Sequence, residues 1–428
     1  MTRFRASQRL VVAASVVVAL AACTSPGPTV TASSPSAVAP SPTPAVDPSG
    51  DGVLRVGTIF PTSGAFSFLA AAQTAGVAAA IKEINASGGV NGEPVVVVAG
   101  DSGEAKATTL EKSFTALMSK KVDVVIGPSS SALAQRAIPL AIDAKIPVIS
   151  PAATFSTLTD VFDGGYFFRT IPAYDQQGYA LAEALAAGAT KKRIAYVYVD
   201  DAQGTALHDT FVTALGEYDT ELVADEVFAS STTNFDSIIA NVKKAQPDVV
   251  VVGSTYDSVT ATKSAVGKIV AAGYNGSKLW LTSLNTGDYS QSFKNGTLKG
   301  VRGVIEGAQP SKAFITTLKA SNAKLTSYRY AMESYDATML AALAAIVAKD
   351  DAGEAVAGSL YDVSNGGVKC LSFAECIDVL KTSNDIDYDG VSGPVNFTPD
   401  GDIEPGYWGY YTYDGENKFV FSSGAVFG

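Results

Sequence analysis

The chain has 428 residues, 47% hydrophobic and 17% charged, with 39 glycines, three cysteines, one histidine and a formal net charge of −11. That length leaves room for two to three domains with full cores, and an acidic balance without a lysine and arginine stripe excludes a nucleic-acid binder. A single histidine excludes a His-rich metal centre and routes any Ser-His-Asp chemistry through His208.

Residues 1–22 read as an export signal, which lies outside the fold. Arg3, Arg5 and Arg9 form a cationic start, and the apolar run 10–22 is too short for a comfortable membrane span. The run ends Leu20-Ala21-Ala22-Cys23, which resembles a bacterial lipobox. Resemblance implies that Cys23 becomes the lipidated first residue of the exported chain, anchored by more than one acyl chain. Ordinary secretory cleavage, with Cys23 left as a free thiol, is the alternative.

Residues 24–50 hold 7 prolines and 10 serines or threonines, with Asp47 their one charge. Such a segment buries too little apolar surface to offset its ordering entropy. Residues 23–52 therefore read as a solvated spacer, which at about 3.1 Å per residue reaches roughly 80 Å from an anchoring membrane.

From Val53 onward, short β-branched runs alternate with alanine-rich amphipathic stretches. The sequence predicts strands at 54–59, 95–99, 122–126 and 146–149, with helices at 70–85, 108–120 and 132–144 between them. Near-continuous Val and Ile runs separated by helices indicate a parallel sheet covered on both faces. The rhythm lapses over 152–170 and then resumes. Helices at 176–187, 205–217, 234–245 and 258–272 alternate with strands at 193–199, 222–228, 249–252 and 279–282. A strand at 301–305, helices at 330–348 and 373–381, and strands at 395–397, 407–413 and 419–421 are too few for a third lobe and should complete the first two sheets. The fold class is therefore α/β, two doubly wound Rossmann-like lobes with a hinge. The expected division is 53–172 plus 304–400 for lobe 1 and 173–303 plus 401–428 for lobe 2.

Cys370 and Cys376, an even pair in an exported chain, most simply form a structural disulfide. A two-Cys metal site is the other reading, but no histidine or carboxylate cluster of ligand spacing accompanies it. No metal and no cofactor is expected.

Open parallel sheets bind ligands beyond the carboxyl ends of their strands. Two such turns of the first lobe are rich in hydroxyls: Gly127-Pro128-Ser129-Ser130-Ser131 and Ser150-Pro151-Ala152-Ala153-Thr154. Uncharged O–H donors beside helix-start N–H groups suit a carboxylate or another polar oxygen group, whereas Ser129 to Ser131 acting only as a helix cap is the plainer alternative. Phe60, Phe66 and Phe68 near the first turn, Tyr174 after the crossing and Tyr256 after a second-lobe strand are candidate pocket walls or core aromatics. There is no Gly-x-Ser-x-Gly elbow, no glycine-lysine phosphate loop, no Gly-x-Gly-x-x-Gly after the first strand and no Asp-rich calcium loop, so no enzyme is expected. His208, beside Asp209 on a predicted helix, reads as a surface residue.

Several stretches together resemble one family. They include Pro61-Thr62-Ser63-Gly64, Glu83-Ile84-Asn85-Ala86-Ser87-Gly88-Gly89, Val125-Ile126-Gly127-Pro128, Pro147-Val148-Ile149-Ser150-Pro151-Ala152-Ala153-Thr154, Phe168-Arg169-Thr170, Tyr335-Asp336-Ala337 and Gly393-Pro394-Val395-Asn396-Phe397. In order and spacing they are similar to the branched-chain amino acid class of solute-binding proteins of ABC transporters, with a type I periplasmic binding protein fold. The resemblance implies two lobes joined by three crossings that close on a solute like a hinged trap. It implies that Ser131 and Thr154 hold the solute carboxylate by hydroxyl and Ala152 by backbone, with Ser130 beside them. Phe66 or Phe68 would form the aromatic wall. From the second lobe, Gln203, Leu284 and Asn285 would face the solute, beside Tyr256, the candidate already read from its place after the strand ending at Val252. Gln203 stands where the family often has an aromatic, and Leu284 or Asn285 where it presents an acid to the ligand's ammonium; Asp288 lies further along. A buried ammonium without a counter-charge is costly. A branched-chain or related amino acid is thus the expected solute, with an amide, a urea-like molecule or a small carboxylate as alternatives. The resemblance further implies a membrane permease as partner and a monomeric receptor outside the cytoplasmic membrane. A sensory receptor is a rival role, and an exported hydrolase using His208 a more distant one.

Overall fold

The structure is a computed structural model that describes residues 50–188, 191–255 and 259–427. The export signal, Cys23 and the spacer up to residue 49 lie outside the described residues.

Lobe 1 is built on a parallel sheet of β1 (Arg55–Phe60), β2 (Val96–Asp101), β3 (Val124–Ile126), β4 (Val148–Ser150) and β5 (Phe167–Arg169), in the order β2-β1-β3-β4-β5. β3 and β4 are buried along their whole length because helices cover both faces. On one face Val56, Val124, Ile126 and Ile149 share a core with α1 (Ala70–Ala86) and a long later helix. On the other, Ile59, Val125 and Val148 pack against α2 (Thr109–Met118) and α3 (Ser131–Ala144). The predicted strands and helices of this lobe are present, and one strand was not predicted: β5, three residues long, lies in the stretch 152–170.

Lobe 2 begins with α4 (Gln177–Ala186), β6 (Lys192–Val199), α5 (Ala202–Leu215), β7 (Thr220–Phe228), α6 (Asp236–Ala245), β8 (Val249–Val252), α7 (Val259–Ala271) and β9 (Leu279–Leu281). It is completed by β10 (Arg302–Glu306), and the chain then returns to lobe 1 through α8 (Lys312–Ser321), α9 (Ala331–Ala348), α10 (Gly353–Ser359), β11 (Val368–Cys370), α11 (Phe373–Leu380), β12 (Ile386–Gly390) and β13 (Gly393–Pro394). Finally β14 (Gly406–Tyr413) and β15 (Phe419–Phe427) extend the second sheet, whose order is β15-β14-β10-β9-β8-β6-β7. β14 pairs antiparallel with β10, and β15 with β14. α9 passes through the middle of lobe 1, with Ala331 to Ala345 all buried, which accounts for its nearly uniform apolar sequence.

Four expectations are corrected. The expected boundary between 303 and 304 cuts β10, which stays in the second sheet to Glu306 because Val304 pairs with Tyr410 and Glu306 with Trp408. At the last crossing, Ile403 still belongs to the lobe 1 core, so the chain leaves that lobe after residue 403 rather than after residue 400. The closing elements also do more than complete two sheets: β11, β12 and β13 form a separate three-stranded sheet beside α9. Residues 395–397, expected as a strand, carry only an isolated bridge from Phe397 to Ile403.

Cys370 and Cys376, both fully buried, are joined by a disulfide between β11 and the first turns of α11. For so short a loop the chain-entropy relation gives about 2 kcal/mol of stabilisation. The Cys370→Ala/Cys376→Ala variant should lose that amount in urea unfolding of the exported chain with an unaltered fold, as read by circular dichroism.

Candidate functional site

In each sheet the strand order reverses at one place, between β1 and β3 in lobe 1 and between β6 and β8 in lobe 2. Loops leaving the two sides of such a switch point diverge and open a crevice at the carboxyl ends of the strands. The hydroxyl-rich loop after β3 and the loop carrying Gln203 after β6 are therefore the ones that face a crevice.

Gly127 directs the first of these loops. Its φ is +113°, and a Cβ there would lie 2.4 Å from the Ile59 carbonyl oxygen, so only glycine lets the chain turn this closely against β1. The hydroxyls that follow have separate uses. Ser129 donates to Gln73 Oε1 at 2.7 Å. Ser130 is the N-cap residue of α3, yet its side chain makes no capping bond. Capping alone therefore does not explain this serine run.

Ser131 Oγ accepts the Thr154 N–H at 3.0 Å and the Phe155 N–H at 3.1 Å. With both acceptor positions taken, what the hydroxyl has left to offer is its hydrogen, and the two incoming N–H groups polarise it toward donation. Thr154 uses its N–H in this bond and its carbonyl to accept the Tyr174 N–H at 2.7 Å. Its own hydroxyl has no protein partner among the described residues. Both side chains are more than nine-tenths buried but keep some accessible surface, Ser131 at 8% and Thr154 at 7%. Ser150 Oγ ties the two loops together by donating to the Pro128 carbonyl at 2.6 Å and accepting the Ala153 N–H at 3.0 Å.

Beneath this floor lies Arg169, fully buried at the end of β5. Its Nη1 donates to the Phe155 carbonyl at 2.8 Å and to that of Ala153 at 3.3 Å, the carbonyls on either side of Thr154. Nη2 donates to Thr159 Oγ1 at 2.8 Å and to Asp402 Oδ2 at 2.7 Å, with Nε on the other Asp402 oxygen. A two-pronged buried ion pair thus fixes the Thr154 loop to the last crossing.

The second lobe contributes Gln203. Asp201 caps α5 by accepting the Gly204 N–H at 2.8 Å, and its other oxygen accepts the Thr255 hydroxyl at 2.7 Å. A Cβ on Gly204 would lie 2.1 Å from the Val199 carbonyl oxygen, so this glycine seats the first turn of α5 against β6. That places Gln203 where its Oε1 accepts the Ser156 N–H at 3.2 Å, a bond from lobe 2 to the Thr154 loop of lobe 1. Tyr174, fully buried in the crossing, spans the same gap: its N–H reaches Thr154 and its hydroxyl donates to the Ser254 carbonyl at 2.7 Å.

The structure thus links Ser131 directly to Thr154, and Gln203 to the same loop through Ser156, with Ser130 at the head of α3. Other expected residues stand differently. Ala152 has its side chain in an apolar cluster with Leu69, Ile171 and Tyr330, and its N–H meets Ser150 Oγ only at 3.4 Å. Asn285 is corrected as a solute contact. Its Nδ2 donates to the Val252 carbonyl at 2.9 Å and its Oδ1 lies 3.5 Å from Thr282 Oγ1, so the two ends of the amide brace the ends of β8 and β9. Leu284 is half-buried and apolar. Asp288 is exposed, and the Ser290 hydroxyl together with the Ser290 N–H, which it accepts at 2.8 Å, holds its carboxyl below the ordinary range. Phe66 and Phe68 stand at the rim, 37% and 62% exposed, with ring centroids 6.4 Å apart. Tyr256 lies outside the described residues. His208 places Nδ1 2.8 Å from Asp209 and Nε2 2.9 Å from Asp225, and stacks on Tyr198. Carboxylates at both ring nitrogens leave it without a serine or cysteine to activate.

Sequence reading missed two residues, Arg169 and Tyr330. For Arg169 a signal was present, since an arginine closing an apolar Phe-Phe-Arg strand needs a buried partner. Tyr330 enters α9 in the left-handed region at φ +61°, packs on Ala152 and donates its hydroxyl to Glu306 Oε1 at 3.0 Å. Nothing local in its sequence indicates that conformation.

Residues 53–410 match the family described as periplasmic binding protein. Among curated relatives, the chemotactic signal transduction system substrate-binding protein BasB of Halobacterium salinarum is 26% identical over 360 residues, 81% of this chain and 83% of the relative. Among solved structures, the branched-chain amino acid transporter substrate-binding protein LivJ of Streptococcus pneumoniae, in complex with isoleucine, has a TM-score of 0.61 at 22% identity, covering 87% of this chain and 99% of its own. An ABC transporter solute-binding protein of R. palustris, in complex with benzoate, has a TM-score of 0.57 at 21% identity, covering 88% and 97%.

Proposed function

The chain belongs to the periplasmic binding protein family, and we propose that it is the receptor of an ABC importer that captures a small carboxylate-bearing solute between its lobes. The observation that supports this is the pair of hydroxyls: Ser131 Oγ already accepts two N–H bonds and keeps its hydrogen to donate, and the Thr154 hydroxyl has no protein partner among the described residues. The start of α3 adds the partial positive charge of its first N–H groups. Together these bind an anionic oxygen pair with no formal cation.

Closure follows from differential affinity. A solute on the lobe 1 floor that also touches Gln203 stabilises the state in which the lobes meet, and so shifts the population toward it. Gln203→Ala removes the bond to Ser156 and one cross-lobe contact. A loss of about tenfold in solute affinity is expected, the scale of one hydrogen bond, measured by titration calorimetry on the exported chain.

A solute without an ammonium is favoured over a leucine-like one by the loop after β9. Its Asn285 is spent on the protein, Leu284 is apolar and Asp288 is turned into its own bend. The test is a thermal-shift screen with benzoate, isovalerate, leucine, isoleucine, valine, simple amides and urea. Stabilisation grows as RT ln(1 + [L]/Kd), about 2.7 kcal/mol at a hundredfold excess over Kd. Carboxylates are expected to raise the melting temperature, and benzoate or isovalerate more than leucine. A response to amides or urea alone would overturn the reading.

In the same proposal, residues 1–22 export the chain, Cys23 carries the lipid, and residues 24–50 give a monomeric receptor the reach to meet its permease at the outer face of the cytoplasmic membrane. Palmitate labelling that is lost in Cys23→Ser tests the anchor. Uptake of the identified solute, lost on deleting the gene, separates transport from sensing.

A further inference from the structure

Tyr330 also lines a cavity of about 340 Å³ at the second crossing. Lobe 2 lines it with Glu306, Tyr411 and Phe419, and the segment entering α9 lines it with Tyr328, Tyr330 and Glu333. Two of its carboxyl groups are buried, Glu306 at 6% exposure and Glu333 at 2%. Glu306 Oε1 accepts the Tyr330 hydroxyl and faces Arg329 Nη2 at 3.4 Å. The second oxygens, Glu306 Oε2 and Glu333 Oε2, are buried without a hydrogen-bond partner. Buried acceptors left unpaired are expensive, and a pair of them lining one cavity calls for a donor from outside the chain.

The surroundings select that donor. With both carboxyls ionised, two negative charges against one guanidinium repel an anion. A divalent cation requires more hard oxygen ligands, and no group of three potential ligating side chains is present among the described residues. An ammonium suits the site: it carries three N–H donors that can reach the unpartnered carboxyl oxygens. The volume is at the small end for ligand sites. We infer that this cavity is a second ligand site, taking a small primary ammonium whose N–H groups bond Glu306 and Glu333.

Burial pushes the Glu333 carboxyl up to about 8, helped by the nearby charges of Asp336 and Glu306. The groups facing it are Glu306 from β10, Asp336 from its own helix, Arg329 from the segment before α9 and Tyr411 from β14. Since the raised value keeps Glu333 neutral at pH 7, binding a cation at that pH releases a proton, and affinity rises as pH climbs through 8.

Isobutylammonium chloride, titrated into the exported chain by calorimetry with isobutanol as the neutral counterpart, tests the site. The ammonium is expected to bind and the alcohol not. Affinity should increase about tenfold from pH 7 to pH 9, following ionisation of a group near 8. Glu306→Gln and Glu333→Gln should each weaken binding at least about tenfold, whereas Ser131→Ala/Thr154→Val should leave it intact. Equal binding of amine and alcohol, unchanged binding in both glutamate variants, or loss in the Ser131/Thr154 variant would overturn the assignment. The pH series on the unaltered chain decides the matter if a glutamine variant fails to fold, a flat profile counting against it.

Discussion

The Ser131→Ala/Thr154→Val variant is expected to lose at least about a hundredfold in affinity for the carboxylate solute and to show no ligand-induced rise in melting temperature. Each hydroxyl donates one bond to an anion, and hydrogen bonds to charged groups contribute about 1.5–3 kcal/mol apiece. Thr154→Val alone keeps the shape and removes only a hydroxyl that has no protein partner among the described residues, so it should weaken binding at least about tenfold while leaving the unliganded chain unchanged. Ser131→Ala does more, because the Thr154 and Phe155 N–H groups lose their acceptor. The unliganded double variant should therefore melt a few degrees lower, consistent with one to three kcal/mol, about the cost of such unpaired groups. Calorimetric titration and thermal melts of the exported chain read both effects. Undiminished affinity in the double variant would contradict the site.

The second large effect concerns Arg169. Replacing it with methionine leaves Asp402 buried without its partner and removes the donors that hold the Ala153 and Phe155 carbonyls. Breaking one side of a buried pair costs about 3–5 kcal/mol. Urea unfolding should register that loss, and Arg169→Lys should recover little of it, since an ammonium cannot reproduce the guanidinium fork. Adding Asp402→Leu to Arg169→Met should restore part of the stability, because the stranded charge is gone. Solute affinity should nonetheless stay low in that double variant, since the loop carrying Thr154 is no longer anchored. Restored stability with restored affinity would show Arg169 to be a stability element alone.

The alternation of apolar runs with alanine-rich helices exposed both sheets in advance, because a parallel strand covered on both faces has to be apolar at nearly every position. The hydroxyl loops were legible for a related reason: strand ends at a switch point are where an open sheet can receive a ligand. What escaped was short or non-local. β5 has three residues, too few for any period to register. α8 has ten residues with only Leu318 buried, and its one clear local mark was the capping serine Ser311, which accepts the Phe314 N–H. β11 to β13 depend on α9 and its loop contacts: Asp336 accepts the Tyr388 hydroxyl and the Val391 and Ser392 N–H groups. The role of Asn285 was misread because its partner, the Val252 carbonyl, lies 33 residues away. Glu306 and Glu333 meet only at the crossing, where no sequence interval brings them together.

Co-crystallisation of residues 53–428 with the carboxylate that gives the largest thermal shift tests the central claim most directly. The account predicts the solute's carboxylate oxygens about 3 Å from Ser131 Oγ and Thr154 Oγ1, hydrogen-bond distance, with Gln203 closing over it. A carboxylate bound elsewhere in the crevice, with both hydroxyls turned toward protein acceptors, would contradict it.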